Sequence, residues 1–366
     1  MKKRIEWLDV ARGIAILAVI IGHTFEPQTY SMQTFPAKLI FAFHMPLFFI
    51  VAGYFFHEQR LNEVVIKGIK NLLVPYFGTA AILVLAFFVS KVKVLPMIFF
   101  SPFHSFSQLL ISILYGFGGG PFGTVNPFGW NIALIGIIWF LMAMFWANII
   151  FQGIYQISKR FVYSEVVLAI FVVIIVVFGI NLSRVWILPM ALDSAFLAIA
   201  FIYTGYLMQK IDLEQLVSEP IVVIFSAILW LFSAKNGLFQ MSSVSFVPTG
   251  DFLTAVVGGI ASTVVIFSLS VRLKKINLVE KTLSVFGRRS LVMMCFHAID
   301  VGVLVFSANV INFTQVYSRP VVFVSLMFYR LLIPIVFTLL MPRIPILRGI
   351  YLPRFVSKKQ KARLEK

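Results

Sequence analysis

Long apolar runs dominate the chain, and they are continuous rather than alternating. Runs of about 18 or more residues with almost no charge are long enough to cross the hydrocarbon core of a bilayer as helices. Membrane β-barrels instead need an alternation of apolar and polar positions, which these runs lack. We therefore predict an all-α, polytopic bundle of about ten transmembrane helices. The predicted spans are 7–24, 36–56, 72–90, 131–151, 164–181, 187–209, 219–234, 251–270, 290–308 and 320–341.

Composition leads to the same class of protein. Hydrophobic residues make up 60% of the chain and charged residues only 12%. An ordinary soluble domain is about 45–50% apolar and about 25% charged. The composition therefore excludes a soluble globular enzyme, and no soluble domain is expected between the spans.

The net charge of +17 follows the predicted topology. With the N-terminus in the cytoplasm, the inside segments hold 23 Lys and Arg residues and the outside segments hold 6. This asymmetry is the positive-inside rule, and it predicts that both termini are cytoplasmic in a multi-pass protein of the cell (inner) membrane. The basic charge then reflects topology and contacts with anionic membrane lipids rather than nucleic acid. We expect a transmembrane domain over 1–341 and a basic cytoplasmic tail over 342–366.

The first span, LDVARGIAILAVIIGHT, carries three ionisable residues in an otherwise apolar segment: Asp9, Arg12 and His23. At about 100° per residue, Asp9 and Arg12 lie about 60° apart, and His23 returns to within about 20° of Arg12. His23 lies about 16 Å further along the axis. A charge in the bilayer centre costs about 2.5–3.5 kcal/mol, so this face is predicted to line a protein interior or a wet cavity. The alternatives are that Asp9 and Arg12 form an ion pair that only anchors one helix end, and that His23 is an interfacial histidine near the other end.

Further polar residues fall near or inside later spans. His44 lies at a depth similar to His23, and two histidines without a third ligand nearby predict proton transfer rather than a metal site. Lys67 and Lys70 precede the third span, where they suit a polyphosphate ligand or serve only topology. His297 and Asp300 are spaced to touch on one helix face. Arg330 is the deepest lone cation, with Asp300 or Asp193 as its expected partner, in a structural salt bridge or a functional one.

Between the third and fourth spans, the chain carries a long polar and aromatic stretch, 91–130. The sequence SQLLISILYG predicts a short interfacial helix, and the glycines that follow it exclude an α-helix. Such a loop is either a substrate lid or a plain connection that rests on lipid headgroups.

The motifs RIEWLDVARGIAILAVIIGH and FHMPLFFIVAGYFF, with basic residues leading into LLVPY, resemble the acyltransferase-3 family of integral-membrane acyltransferases. The closest resemblance is to its fucose 4-O-acetylase-like branch. IIWFLMAMF, DSAFLAIAFIYTGYLM and FGRRSLVMMCFHAID are similar to later blocks of that branch. The resemblance covers nearly the whole chain, and its first-helix block is the most specific part.

The resemblance implies an O-acetyltransferase that takes an acetyl group from cytoplasmic acetyl-CoA, with no permanently bound cofactor. The acceptor is a hydroxyl of a cell-surface carbohydrate, a lipid-linked glycan or another envelope molecule. The family's first-helix arginine, histidine and acidic residue correspond to Arg12, His23 and Asp9. Its cytoplasmic basic motif corresponds to Lys67 and Lys70, where many relatives carry arginine; lysine cannot make a planar bidentate phosphate contact.

These expectations give a site in three parts. The catalytic residues are His23, as general base or as an acylated nucleophile, with Asp9, Arg12 and His44. Donor-binding residues are predicted to be Arg60, Lys67, Lys70, Arg288 and Arg289. The acceptor is expected at Trp139, Asp193, His297, Asp300 and Arg330, and no metal is expected. The competing function is a proton-coupled transporter or flippase of an envelope precursor, with the same ionisable groups as a relay.

Overall fold

The computed structural model describes residues 5–26, 29–92, 98–119, 123–236 and 251–352. Within these residues the protein is almost entirely helical, as predicted, with one two-stranded hairpin. Its first eight helices are α1 (Glu6–Gly22), α2 (Phe35–Tyr54), α3 (Leu61–Gly68), α4 (Val74–Val89), α5 (Phe106–Tyr115), α6 (Trp139–Ser158), α7 (Ser164–Val185) and α8 (Leu192–Met208).

The second half of the chain continues the bundle in the same way. Its helices are α9 (Leu213–Leu216), α10 (Pro220–Asn236), α11 (Asp251–Leu273), α12 (Asn277–Arg288), α13 (Ser290–Val303), α14 (Phe306–Thr314), α15 (Arg319–Leu340) and α16 (Pro345–Tyr351).

Every predicted span coincides with at least part of a helix. Six segments of the described chain are long and apolar enough to cross a membrane: Phe35–Tyr54, Leu61–Val89, Gly136–Ser158, Ser164–Val185, Phe252–Leu273 and Arg319–Arg343. The count of ten crossings and the cytoplasmic termini stay predictions. Most of the predicted basic tail lies beyond residue 352 and outside the described residues.

The stretch between α4 and α6 contains the predicted short helix, which is α5. Ser105 caps this helix by accepting a hydrogen bond from the backbone N–H of Gln108. Gly116 ends it in the left-handed conformation, with φ of 66°, which glycine adopts without a steric penalty. Strands β1 (Thr124–Val125) and β2 (Ile132–Ala133) then form an antiparallel hairpin.

Helix α1 lies in close contact with α12 because both helices carry a glycine at the point where they cross. A Cβ atom on Gly13 would overlap the backbone carbonyl of Leu283, and one on Gly287 would overlap that of Asp9. Small residues of this kind let two helix backbones approach closely within a membrane. This packing fixes the α1 end that carries Asp9 against the segment that leads to Arg288.

Between α3 and α4 the helix widens into a π-turn over Ile69–Leu73, and α4 follows with Pro75 in its first turn. Wider turns of this type are uncommon and occur frequently at functional sites. The π-turn changes the direction of the side chains around Lys70 and Asn71 relative to a regular α-helix.

Candidate active site

The predicted ion pair on α1 is present at the N-terminal end of that helix. The guanidinium of Arg12 lies 3.7 Å from the carboxylate of Asp9. Arg12 Nη2 also lies 3.5 Å from the hydroxyl of Ser290, the first residue of α13. Asp9 and Ser290 therefore hold the Arg12 side chain between two helices.

A cavity of about 980 Å³ opens beside Arg12 and follows one face of α1. This face contributes Arg12, Ile16 and Val19, which recur at the spacing of successive helical turns. Its other polar lining residues are His57, Gln59, Lys67, Asn71, Asn148, Gln152, Arg288 and Ser290. Aromatic and aliphatic side chains complete the wall, among them Phe48, Phe140, Leu141, Met144, Met294 and Tyr351.

Two histidines lie within one helical turn of residues that line this cavity. His23 follows Val19 by four residues on the same face of α1, which is about 6 Å along the axis. His44 directly follows Phe43 on α2 and precedes Met45, which lines the cavity. The two histidines themselves are not among the lining residues. The cavity therefore extends from the cations near Arg12 to within one helical turn of His23.

The hydrogen bonds of the two histidines determine which ring nitrogen is available. His23 Nδ1 lies 2.7 Å from the carbonyl oxygen of Val19, and His44 Nδ1 lies 3.0 Å from that of Ile40. A carbonyl oxygen only accepts, so Nδ1 carries the proton in each neutral ring and Nε2 keeps its lone pair. Phe41 lies between the two rings, 6.2 Å from His23 and 5.0 Å from His44 between centroids. Each histidine is thus oriented as a base through Nε2.

Arg330 of α15 holds the C-terminal end of α1. Its Nη1 donates a hydrogen bond to the main-chain carbonyl of His23, and its Nη2 lies 3.2 Å from the carboxylate of Glu26. The expected partners of Arg330, Asp300 and Asp193, were wrong: the paired carboxylate is Glu26. The chain after α1 turns back into the bundle, which places Glu26 within reach of the middle of α15.

His297 and Asp300 lie on one turn of α13, as their spacing predicts, but no hydrogen bond joins their side chains. Asp300 Oδ1 instead accepts a hydrogen bond of 2.6 Å from the hydroxyl of Tyr329. The His297 ring lies 5.3 Å from the His23 ring between centroids. Neither ring nitrogen of His297, nor Asp300 Oδ2, nor Arg330 Nε has a hydrogen-bond partner among the described residues. Because unpaired buried polar atoms are costly, this concentration next to His23 indicates a place for a polar ligand or water.

The predicted donor-binding cations separate into two groups. Lys67 and Arg288 line the cavity together with Arg12. Arg60 and Lys70 do not line it and are exposed. Arg289 is also outside the lining, and it donates a hydrogen bond of 2.8 Å to the carbonyl oxygen of Thr338.

Trp139 and Asp193 are buried and do not line the cavity. The Trp139 ring is 6% exposed and packs so closely beneath Gly118 that a Cβ there would overlap the indole. Asp193, in the first turn of α8, is fully buried and accepts a hydrogen bond of 2.9 Å from the backbone N–H of Ser194. Among the residues that the structure describes, no three His, Cys, Asp or Glu side chains gather as a metal-binding group.

Sequence reasoning missed a set of carboxamides that shape the cavity. Gln152 and Gln156 of α6 both donate to the main-chain carbonyl of Gln59, at 2.8 and 2.7 Å. Gln209 donates in the same way to the carbonyl of Tyr54, at 2.6 Å. These bonds hold the 54–59 segment, from which Phe55, Phe56, His57 and Gln59 line the cavity. The signal was available in ANIIFQGIYQ, where three amide side chains recur every four residues inside an apolar helix.

With the geometry established, the chain can be compared with known proteins. The family model described as an acyltransferase domain matches residues 5–339. The chain belongs to the acyltransferase-3 family. Neither the curated proteins nor the solved structures include a match to it. Family membership together with the apolar helices makes the protein a multi-pass membrane acyltransferase.

Proposed function

We propose that the protein is an O-acetyltransferase that moves an acetyl group from cytoplasmic acetyl-CoA to a hydroxyl of a cell-surface carbohydrate or another envelope molecule. The observation that carries this proposal is the cavity, which extends from Arg12, Lys67 and Arg288 to within one helical turn of His23. The sequence motifs resemble the fucose 4-O-acetylase-like branch of the family, and this resemblance favours a carbohydrate hydroxyl as the acceptor.

In this proposal, the donor enters from the side where Arg12, Lys67 and Arg288 gather. Three cations around one opening suit the phosphates of coenzyme A, since charge-assisted hydrogen bonds to phosphate are the stronger ones. Above them the wall becomes apolar along Ile16 and Val19, which suits the pantetheine arm and the acyl group. With the arm along this wall, the thioester at its end lies on the side of His23.

The chemistry is assigned to Nε2 of His23. This nitrogen takes the proton of the acceptor hydroxyl as the hydroxyl oxygen attacks the thioester carbonyl carbon. The carbon–sulfur bond then breaks, and the proton passes from His23 to the leaving thiolate, giving the ester and coenzyme A. General-base catalysis of this kind typically contributes about 10²–10⁴-fold. His44, whose Nε2 is likewise unprotonated in the neutral ring, assists or orients the acceptor.

The acceptor is assigned to the far side of His23. His297, Asp300 and Arg330 bring unpartnered polar atoms to that region, where hydroxyl groups of a sugar can both donate and accept. Arg330 additionally keeps the end of α1 in place through the His23 carbonyl. Trp139 and Asp193 remain proposed acceptor contacts.

Two measurements on the wild-type protein test this function. In membranes, labelled acetyl-CoA should transfer label to glycan, and mass spectrometry of surface glycans should show an acetyl increment that depends on the protein. In detergent, coenzyme A should raise the thermal midpoint of the purified protein, because a ligand that binds only the folded state stabilises it. Absence of both effects would contradict the acetyltransferase and favour the transporter or flippase.

A further inference from the structure

Three carboxamide side chains line the cavity in a common orientation. Asn71 Nδ2 donates to the carbonyl of Lys67 at 2.7 Å, and Asn148 Nδ2 to that of Met144 at 2.6 Å. Gln152 Nε2 donates to the carbonyl of Gln59 at 2.8 Å. Each side chain thereby uses its donor on the protein backbone.

The orientation of these amides follows from the groups that they meet. Rotating the Gln152 carboxamide by half a turn would bring two carbonyl oxygens together at Gln59, which is repulsive. The nitrogen therefore faces the backbone and the oxygen remains as an acceptor. Gln152 is fully buried, and its Oε1 has no hydrogen-bond partner among the described residues. A buried acceptor without a hydrogen-bond partner destabilises the folded protein. An N–H donor on a ligand would remove this cost.

Gln152 and Asn148 lie one turn apart on α6 and both line the cavity, so their Cα atoms are about 6 Å apart along the helix axis. The pantetheine arm of coenzyme A carries two amide N–H groups whose nitrogens are four bonds apart, a span of about 5 Å when extended. A bare phosphate or a free acyl chain offers no N–H donor. The two carboxamides therefore match the pantetheine arm in chemistry, and their positions along α6 are separated by a distance similar to that between its two nitrogens.

We propose that Asn148 and Gln152 are specificity-determining residues that accept hydrogen bonds from the two pantetheine amides of the acyl donor. This inference rests on the proposed function, since it specifies how the same cavity recognises coenzyme A. It adds a neutral recognition element to the cations at the opening. Donors that lack the pantetheine arm then bind through their phosphates alone.

The chain offers a matched control for the structural role of Gln152. Gln156 donates to the same Gln59 carbonyl but does not line the cavity. Gln156→Leu therefore removes a tether of the 54–59 segment without removing an acceptor from the cavity. Gln152→Leu removes both, and Asn148→Leu removes an acceptor without touching Gln59.

The test measures the Kd of purified wild-type protein and these three variants for two probes. The probes are coenzyme A and 3′-phospho-ADP, which is coenzyme A without its pantetheine arm. We expect Gln152→Leu and Asn148→Leu each to weaken coenzyme A binding about tenfold and 3′-phospho-ADP binding less than about twofold. Gln156→Leu should weaken coenzyme A binding less than Gln152→Leu does, and should affect both probes alike, because it removes only a tether of the Gln59 carbonyl. Retained 3′-phospho-ADP binding also shows that a variant is folded.

Each other outcome overturns the inference in a recognisable way. Equal weakening by Gln152→Leu and Gln156→Leu would make Gln152 only a tether of the 54–59 segment. Equal weakening of both probes would place the two amides away from the pantetheine arm. Unchanged coenzyme A affinity in the variants would refute the inference alone. Failure of the wild-type protein to bind coenzyme A would instead refute the proposed function and the inference together.

Discussion

Arg330 Nη1 donates a hydrogen bond to the main-chain carbonyl of His23, although the two residues are 307 positions apart. The same guanidinium pairs with Glu26, so one side chain of α15 fixes both the residue that caps the C-terminal end of α1 and the segment that follows it. The His23 ring is held from the other side by the Val19 carbonyl. The position of the proposed base is thus determined by α15 as well as by α1.

Removing the Arg330 side chain should lower the turnover rate more than it weakens binding of the acetyl donor. We expect Arg330→Met to lower kcat for acetyl transfer by roughly 10–100-fold, because small displacements of a catalytic group have effects of about that size. The Kd for coenzyme A should stay within about twofold of wild type, since Arg330 lies outside the cavity. Arg319→Met, at the exposed start of the same helix, is the control. A variant that loses donor affinity and turnover equally would contradict the positioning role.

Some of the predicted donor-binding cations line the cavity and others lie outside it, and this difference can be tested directly. We expect Arg12→Gln, Lys67→Gln and Arg288→Gln each to raise the KM for acetyl-CoA about tenfold or more, because each removes a cation from the donor's phosphates. Arg60→Gln and Lys70→Gln, which change exposed residues outside the lining, should alter KM by less than about threefold. The measurement is initial rate against acetyl-CoA concentration. Equal effects in both groups would show that general positive charge, and not the cavity, attracts the donor.

The close packing of α1 on α12 predicts a contrast between two glycines. Gly13→Ala should destabilise the protein by about 1–3 kcal/mol, because the added methyl group overlaps the Leu283 backbone, which cannot move like a side chain. Gly153→Ala, in the interior of α6, meets no atom within 4 Å and should be neutral or slightly stabilising. Thermal unfolding of both variants in the same detergent gives the comparison. A neutral Gly13→Ala would contradict the packing.

The parts of the site that follow from local periodicity could be predicted from the sequence. Asp9 and Arg12 are three residues apart, and Arg12, Val19 and His23 recur on one helix face, so the α1 stripe needs only helix geometry. The apolar runs likewise indicate the helices without any knowledge of their packing.

Contacts between distant segments could not be predicted in this way. Glu26 lies after the end of α1, so a periodicity argument assigns it to a loop and offers no reason to pair it with Arg330. The spacing of His297 and Asp300 likewise gave no reason to expect that Asp300 accepts a hydrogen bond from Tyr329 of α15 and that His297 forms none. The π-turn at Ile69–Leu73 also interrupts the regular helical spacing, so the sequence could not show that Lys67 lines the cavity and Lys70 does not.

The most direct test of the central claim is acetyl transfer by His23→Ala, measured in membranes with labelled acetyl-CoA alongside coenzyme A affinity. The account predicts that transfer falls by about 10²-fold or more while the Kd for coenzyme A stays near wild type, because His23 lies beyond the donor cavity. Near-normal transfer by the variant would contradict the assignment of His23 Nε2 as the base that activates the acceptor hydroxyl.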